Sequence, residues 1–249
     1  MTWRIVDDGT SFSEPMHHAL DQVLLERLDR GEIEPTLRFW YRDTPAVPMG
    51  RFQAYEDEVA VDYVESRDIQ VVRRITGGGA MYVEPGAVIT YSMYLPRESI
   101  PEDVEESYAT LDEWVIEGLG NIGLPVEHEP LNDITHPEGK IGGSAQLRKN
   151  DAVLHHTTMS YDLDIEAMLS ALRIGEEKVS DKAVKSAEKR VAVMRDHVDA
   201  EREEVIEALK DAFKDTYGGK TGSFDQEILD EAANRARSTF STDEWNKQL

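Results

Sequence analysis

Arg73-Arg74-Ile75-Thr76-Gly77-Gly78-Gly79-Ala80-Met81-Tyr82 interrupts an apolar, strand-like part of the chain. Three consecutive glycines leave the backbone uncovered, so a ligand can approach the amides and successive N–H groups can cradle an anion. Two arginines directly before them bring guanidinium forks suited to phosphate or carboxylate. The stretch is not a Walker A loop, because no Gly-Lys-Ser/Thr follows, and it is not a G-x-G-x-x-G fingerprint. Its flanks point to the fold class. Ile69–Arg73 before it, and Ala80–Val83 and Val88–Leu95 after it, read as short strands, with Glu84-Pro85-Gly86 as a turn signal between the last two.

Outward from this loop, the chain mixes strands and helices without regular βαβ alternation. Thr2–Val6, Thr36–Tyr41 and Val47–Gly50 read as strands. Ser13, then Glu14-Pro15, reads as a cap and first turn for a helix carrying Met16, Leu20, Val23, Leu24 and Leu28, stopped by Gly31. Val104–Ile122 reads as a second helix. Lys140–Arg148 and Ala152–Leu163 flank Lys149-Asn150-Asp151 as a hairpin, and Asp164 caps a short helix, Ile165–Ile174, stopped by Gly175. Val179–Val198 is highly charged and of open assignment, with ordering on ligand or partner binding as one expectation. Glu203–Tyr217 is an amphipathic helix, Gly218–Ser223 a glycine-rich link and Asp225–Arg237 a final helix. The expectation is one α+β domain over residues 1–249: a mixed or antiparallel sheet flanked by helices.

Composition narrows the chemistry. The chain has 249 residues, with 50 Asp+Glu against 27 Lys+Arg, a net charge of −23 and no cysteine. Disulfides, thiolate metal sites and thioester intermediates are excluded. The acidic balance argues against nucleic acid as a partner. No apolar run is long enough to cross a membrane, and the amino terminus lacks the apolar stretch of a signal peptide, so a soluble cytoplasmic protein is expected.

Two further stretches carry chemistry. Lys140-Ile141-Gly142-Gly143-Ser144-Ala145-Gln146 opens a strand with an ammonium that could neutralise a carboxylate or a phosphoryl group. Upstream, Asn132-Asp133 offers hard oxygen ligands for a divalent cation. In isolation, a surface lysine and a polar turn are the favoured readings of these two stretches. His155-His156-Thr157-Thr158 lies on the return strand, where adjacent side chains face opposite ways, so only one histidine can line a given pocket.

The ordered set RRITGGGAMY, ND, KIGGSAQ, HHTT resembles the lipoate–protein ligase A family, whose pattern is close to RRxSGGGAVxHD, RND, KxSGSA, HHGT. The resemblance runs from the first strand to Asp243-Glu244-Trp245-Asn246. It implies the biotin/lipoate ligase fold and an enzyme that uses ATP and Mg²⁺ to convert lipoate to lipoyl-AMP. The acyl group then passes to a lysine of an acceptor: the lipoyl domains of 2-oxoacid dehydrogenases or the glycine cleavage H protein. By resemblance, Arg74, Gly77, Gly78, Gly79, Ala80, Met81 and Tyr82 line the adenylate site. Lys140 contacts the lipoate carboxyl and α-phosphate as the catalytic cation. Asn132 and Asp133 lie near phosphate and metal, with Asp133 as the metal ligand, and Ser144, Ala145 and His156 line the pocket. Trp40, Val72 and Met81 are candidates for an apolar slot.

Related octanoyltransferases and amidotransferases pass through a cysteine thioester, which this chain cannot form. The sequence departs from the family pattern at Val83, which replaces a histidine, and at HHTT. The family's small C-terminal domain is missing from the sequence, so a separate small accessory protein is expected as a partner. A ligase for octanoate or another acid, and a non-catalytic adenylate binder, remain the alternatives.

The dispersed acidity also suggests adaptation to a salty cytoplasm, because at about 1 M salt the Debye length falls to about 3 Å and carboxylate repulsion is screened. Thermal melts in a potassium chloride series test this: stability should fall on dilution, and a melting temperature indifferent to salt would refute it.

Overall fold

The computed structural model describes residues 2–173 and 191–249. Its centre is a sheet built from β1 (Arg4–Val6), β3 (Thr36–Phe39), β7 (Val88–Pro96), β8 (Glu127–Glu129), β9 (Asp133–His136), β10 (Gly139–Arg148), β11 (Ala152–Ser160) and β12 (Lys220–Gly222). The strand order is β12-β1-β3-β7-β11-β10-β9-β8. β1 runs parallel to β12 and β3, and every pairing from β3 to β8 is antiparallel. The sheet is therefore mixed, as the α+β reading expects. Two small parallel pairs accompany it: β2 (Ser11–Phe12) with β4 (Tyr41–Arg42), and β5 (Ala46–Met49) with β6 (Gln70–Arg73).

Alternation along β7 decides what lies on each face. Ile89, Tyr91, Met93 and Leu95 join one core, packed under α4 (Val104–Asn121) and α6 (Arg202–Tyr217) through Leu111, Trp114, Val115, Leu209 and Phe213. The other residues, Thr90, Ser92 and Tyr94, face α1 (Glu14–Asp29). There, Leu20, Val23 and Leu24 pack with Ile228 and Ala232 of α7 (Gln226–Arg235). A third cluster joins Val47, Met49, Val59, Val64 and Ile69 beneath α2 (Tyr55–Glu58), α3 (Val61–Ser66) and α5 (Ile165–Ala171).

Caps set the ends of several helices. The Asp103 carboxylate accepts from the Glu106 amide at 2.9 Å at the start of α4, and Glu201 and Glu204 form a capping box on α6. Ser13 occupies the cap position of α1, but its hydroxyl makes no capping bond, and Pro15 supplies the preset first turn instead.

The expected elements shift in four places. The strand read over Thr36–Tyr41 divides at Trp40, whose amide bonds the Thr90 carbonyl before the chain enters β4. Ala80–Val83 contracts to a single bridge between Val83 and Ala46. The glycine-rich link holds the edge strand β12, where main-chain pairing to β1 outweighs poor strand propensity. The final helix passes through a π turn, Ala236–Phe240, into α8 (Asp243–Asn246). Ile174, Gly175 and most of the charged stretch Val179–Val198 lie outside the described residues. No described helix is long and apolar enough to cross a membrane.

Trp114 is fully buried and meets Tyr91 and Phe213 edge to face at centroid distances of 4.8 and 5.1 Å. Trp114→Ala should cost about 3–5 kcal/mol, read as a lowered denaturant midpoint with an unchanged slope.

Candidate functional site

A cleft of about 150 Å³ opens on the α1 side of the sheet. Its floor follows one row of residues across the strands. Thr90 on β7 lies opposite Thr158 on β11, and Thr158 opposite Gly143 on β10; Asp133 on β9, opposite Gly143, continues the row just outside the cleft lining. The glycine loop after β6 roofs it with Gly78, Gly79, Ala80 and Met81.

Arg74 shapes that loop. Its buried guanidinium donates from Nη2 to the Gly77 and Gly79 carbonyls at 2.7 and 2.8 Å, from Nη1 to the Pro48 carbonyl at 3.1 Å, and from Nε to Thr76 Oγ1 at 3.1 Å. Burial lowers its pKa to about 10, which leaves it charged at neutral pH. Arg74 lines the cleft, while its donors are turned onto the carbonyls of the loop and of Pro48. Gly78 takes a positive φ of 94°, and Gly50 packs so closely beneath it that an added Cβ would lie 1.9 Å from the Gly78 oxygen.

Lys140 reaches the same cleft through a register irregularity. Pairing of β10 with β9 slips between Lys140 and Gly142. Ile141 is buried in the α4-side core, and a Cβ on Gly142 would meet Met159 of that same core. Two successive residues thus share one face, and Lys140 falls on the cleft side. Its ammonium donates to Asp133 Oδ1 at 2.6 Å. A Cβ on Gly143 would approach Lys140 Nζ to 2.9 Å, so the glycine makes room for this cation. Asn132 lines the cleft and donates from Nδ2 to the Ser144 carbonyl.

The paired histidines separate as strand geometry requires. His156 lines the cleft, with Nδ1 2.9 Å from Asp21 Oδ2 and Nε2 2.9 Å from Thr76 Oγ1. Burial pushes its pKa down, outweighing the Asp21 carboxylate. Burial alone would raise Asp21, but its bond to His156 and the charge of Arg38, 2.7 Å away, hold it well below the carboxylate range. His155 faces the other core and contacts Asp112 at 2.8 Å.

Several expected site residues lie elsewhere. The Ser144 hydroxyl donates to Asp112 at 2.8 Å on the α4 side, so only the serine's remaining atoms serve the cleft, because its position on β10 points the side chain the other way. Tyr82 packs in the third core, its hydroxyl on Glu84 at 3.0 Å, and Val72 packs beneath α1. Neither borders the cleft. Gly77 contributes its carbonyl to Arg74 rather than a wall. Ala145, Trp40 and Met81 do border it. Val83 packs with Ala46 and Val88. Among the described residues, no cluster of three or more acidic or histidine side chains is placed to hold a metal.

Sequence reasoning missed Glu14, His18 and Arg42, all buried in the cleft wall. Arg42 Nε donates to Glu14 Oε2 at 2.7 Å and its Nη1 to Thr90 Oγ1 at 2.9 Å. Burial favours protonation of Glu14, but the Arg42 charge and the His18 bond outweigh it and keep the carboxylate ionised. The available signal was a set of four polar residues, Glu14, His17, His18 and Asp21, clustered in the first turns of a helix whose apolar spacing marks it as buried.

The pattern of the lipoyl protein ligase A/B catalytic domain matches residues 15–214. The chain belongs to this family. Lipoate-protein ligase A subunit 1 of Thermoplasma acidophilum is 32% identical, over 94% of this chain and 92% of its own length. The octanoyltransferase LipM of Halalkalibacterium halodurans is 28% identical over 98% of each chain. The structure of a bi-partite lipoate protein ligase, solved with its E2 lipoyl domain from Thermoplasma acidophilum, superposes with a TM-score of 0.89 at 31% identity, covering 100% of this chain and 97% of that one. A lipoate-protein ligase A bound with ATP gives 0.86 at 28% identity, covering 100% of both. The mixed, helix-flanked sheet is thus the catalytic fold of lipoyl ligases.

Two glycine substitutions test the geometry of the cleft. Gly50→Ala should displace the loop and lower the melting temperature, because backbone has to move. Gly143→Ala should leave the melting temperature nearly unchanged, because the flexible end of Lys140 yields. A fall in Gly143→Ala as large as that in Gly50→Ala would contradict the placement of Lys140.

Proposed function

We propose that the chain is the catalytic subunit of an ATP-dependent lipoate–protein ligase. The observation that carries this reading is the meeting of Lys140 with the Arg74-held glycine loop in one cleft. The absence of cysteine supports adenylate chemistry over a thioester relay. The ATP-bound and lipoyl-domain-associated relatives point the same way.

In the first step, a carboxylate oxygen of the acid attacks the α-phosphorus of ATP, and pyrophosphate leaves with the bonding pair. Two anions must approach each other, so positioning and charge neutralisation dominate the barrier. Lys140 supplies a mobile cation at that point, and Asp133 holds it while the cleft is open. The Gly78–Gly79 backbone lets phosphate approach without a side chain in the way. In the second step, the ε-amine of an acceptor lysine attacks the acyl carbon, and AMP leaves. His156, neutral and fixed between Asp21 and Thr76, keeps the wall rigid without adding charge.

Mg²⁺ keeps several waters and binds phosphates with one or two protein ligands, so a lone carboxylate with an amide neighbour suits a nucleotide-borne ion. Asp133 and Asn132 would hold it, and it would neutralise charge on the departing pyrophosphate. The acceptors proposed are lipoyl domains of 2-oxoacid dehydrogenases and the glycine cleavage H protein. A separate small subunit is proposed to complete the enzyme, on the precedent of the bi-partite relative.

Lipoate-dependent exchange between pyrophosphate and ATP tests the reading. Lys140→Ala should lower it about 10²–10³-fold, with little change in melting temperature, since a pair this exposed contributes about 0–1 kcal/mol. Wild-type exchange in Lys140→Ala would refute the assignment. Lipoylation of an acceptor domain at full rate by the chain alone would refute the accessory subunit.

A further inference from the structure

Among the described residues, β6 pairs with β5 alone, and its other edge meets no strand. Arg74 turns its amide to the Met49 carbonyl of β5 at 2.9 Å, so the N–H and C=O of Arg73, one residue earlier, face the open edge. An edge of this kind is a template for another strand. Here two consecutive side chains of α8 take that strand's place. Asn246 Oδ1 accepts the Arg73 N–H at 2.8 Å, and Trp245 Nε1 donates to the Arg73 carbonyl at 2.7 Å. The Arg73 guanidinium closes the clasp, donating to the Trp245 and Asn246 carbonyls at 3.2 and 2.9 Å.

The short helix is itself held from behind. Asn246 Nδ2 donates at 2.8 Å to the carbonyl of Phe240, a fully buried residue whose ring meets Trp245 edge to face at 5.6 Å. A second route leads from Trp245 to the glycine loop. Arg51 lies over its indole at 4.4 Å, and the Arg51 amide donates at 2.8 Å to the carbonyl of Thr76, directly before the glycines. Neither Trp245 nor Asn246 borders the cleft.

We propose that Trp245 and Asn246 are positioning residues for nucleotide binding, acting through Arg73 and Arg51 on the glycine loop. The proposal rests on the reading above that ATP lies against this loop. Three glycines lose much entropy on ordering, so the ordered fraction of the loop depends on how firmly Arg74 and Thr76 are held. Loosening the clasp lowers the fraction competent to bind, and the apparent affinity for ATP falls with it. Chemistry in the filled site is unaffected, because neither side chain reaches the reacting atoms.

Trp245→Phe tests this, since it deletes the indole N–H and keeps a ring between Arg51 and Phe240. The amides of Arg51, Arg74 and Met81 bond Thr76, Met49 and Pro48 at the base of the loop and report its order by NMR hydrogen exchange. Their exchange should quicken about tenfold, the effect of leaving one buried carbonyl unpaired. In lipoate-dependent pyrophosphate exchange, KM for ATP should rise at least about threefold while kcat changes by less than about twofold. A role in stability alone would lower kcat with the active fraction and leave KM as it was. Asn246→Ala should act in the same direction, and Trp245→Phe decides alone if Asn246→Ala does not fold. Unchanged exchange at the three amides, or a fall in kcat with KM unmoved, would overturn the proposal. In the wild type, ATP should slow the same amides. If it does not, the nucleotide placement fails, while quickened exchange in Trp245→Phe still sustains the clasp on the loop.

Discussion

A buried guanidinium turned back onto main-chain oxygens gives the site its shape. Arg74 draws the carbonyls of Gly77 and Gly79 inward and ties them to Pro48 of a neighbouring strand. Glycine loops lose much entropy on ordering, so an arrangement of this kind needs a fixed anchor. Charge-assisted bonds to several carbonyls supply it. Arg73 does the corresponding work on the other side of the strand, donating to the Gln53 and Asn246 carbonyls and so fastening α8 to the same region. The two adjacent arginines, which suggest a phosphate clamp in the sequence, are chiefly the skeleton of the loop.

The two faces of the sheet are built on different principles. The α4 side is largely apolar but encloses a polar island, where Asp112 gathers His155, Ser144, Thr157 and Tyr91. The α1 side carries Asp21, Arg38, His156 and Tyr94 in a connected network whose members lie within hydrogen-bond reach. Such networks are stable only when their members are paired, and they fix one geometry when they are. His17 stacks on Trp40 at 4.5 Å, and Arg38 and Arg42 lie over the same indole at 4.5 and 5.0 Å. Trp40 is therefore wrapped by cations and a neutral ring, and little of it is left to act as a purely apolar slot.

The fold class was legible because short β-rich runs, turn dipeptides and three strongly periodic helices agreed with one another. The cleft was legible in outline. Arg74, Gly78, Gly79, Lys140 and His156 stand in recognisable order, and they converge in space. What escaped notice depended on pairing. Ser144 was assigned by motif, yet β-parity sends its hydroxyl to Asp112. Glu14, His18 and Arg42 come from helix, helix and strand segments, and nothing local announces that they meet. β8, β9 and β12 are short strands defined by their neighbours more than by their own residues.

One inserted residue in β10 has an effect out of proportion to its size. With Ile141 and Gly142 both turned to the same side, every position before the irregularity is inverted relative to those after it. Regular alternation over the same residues would swing the ammonium of Lys140 into the hydrocarbon under α4 and turn Ile141 out to the cleft. A homologue with a regular strand at this point has to carry its cation one position away, so matching residues by column alone would pair groups that stand on opposite sides of the sheet.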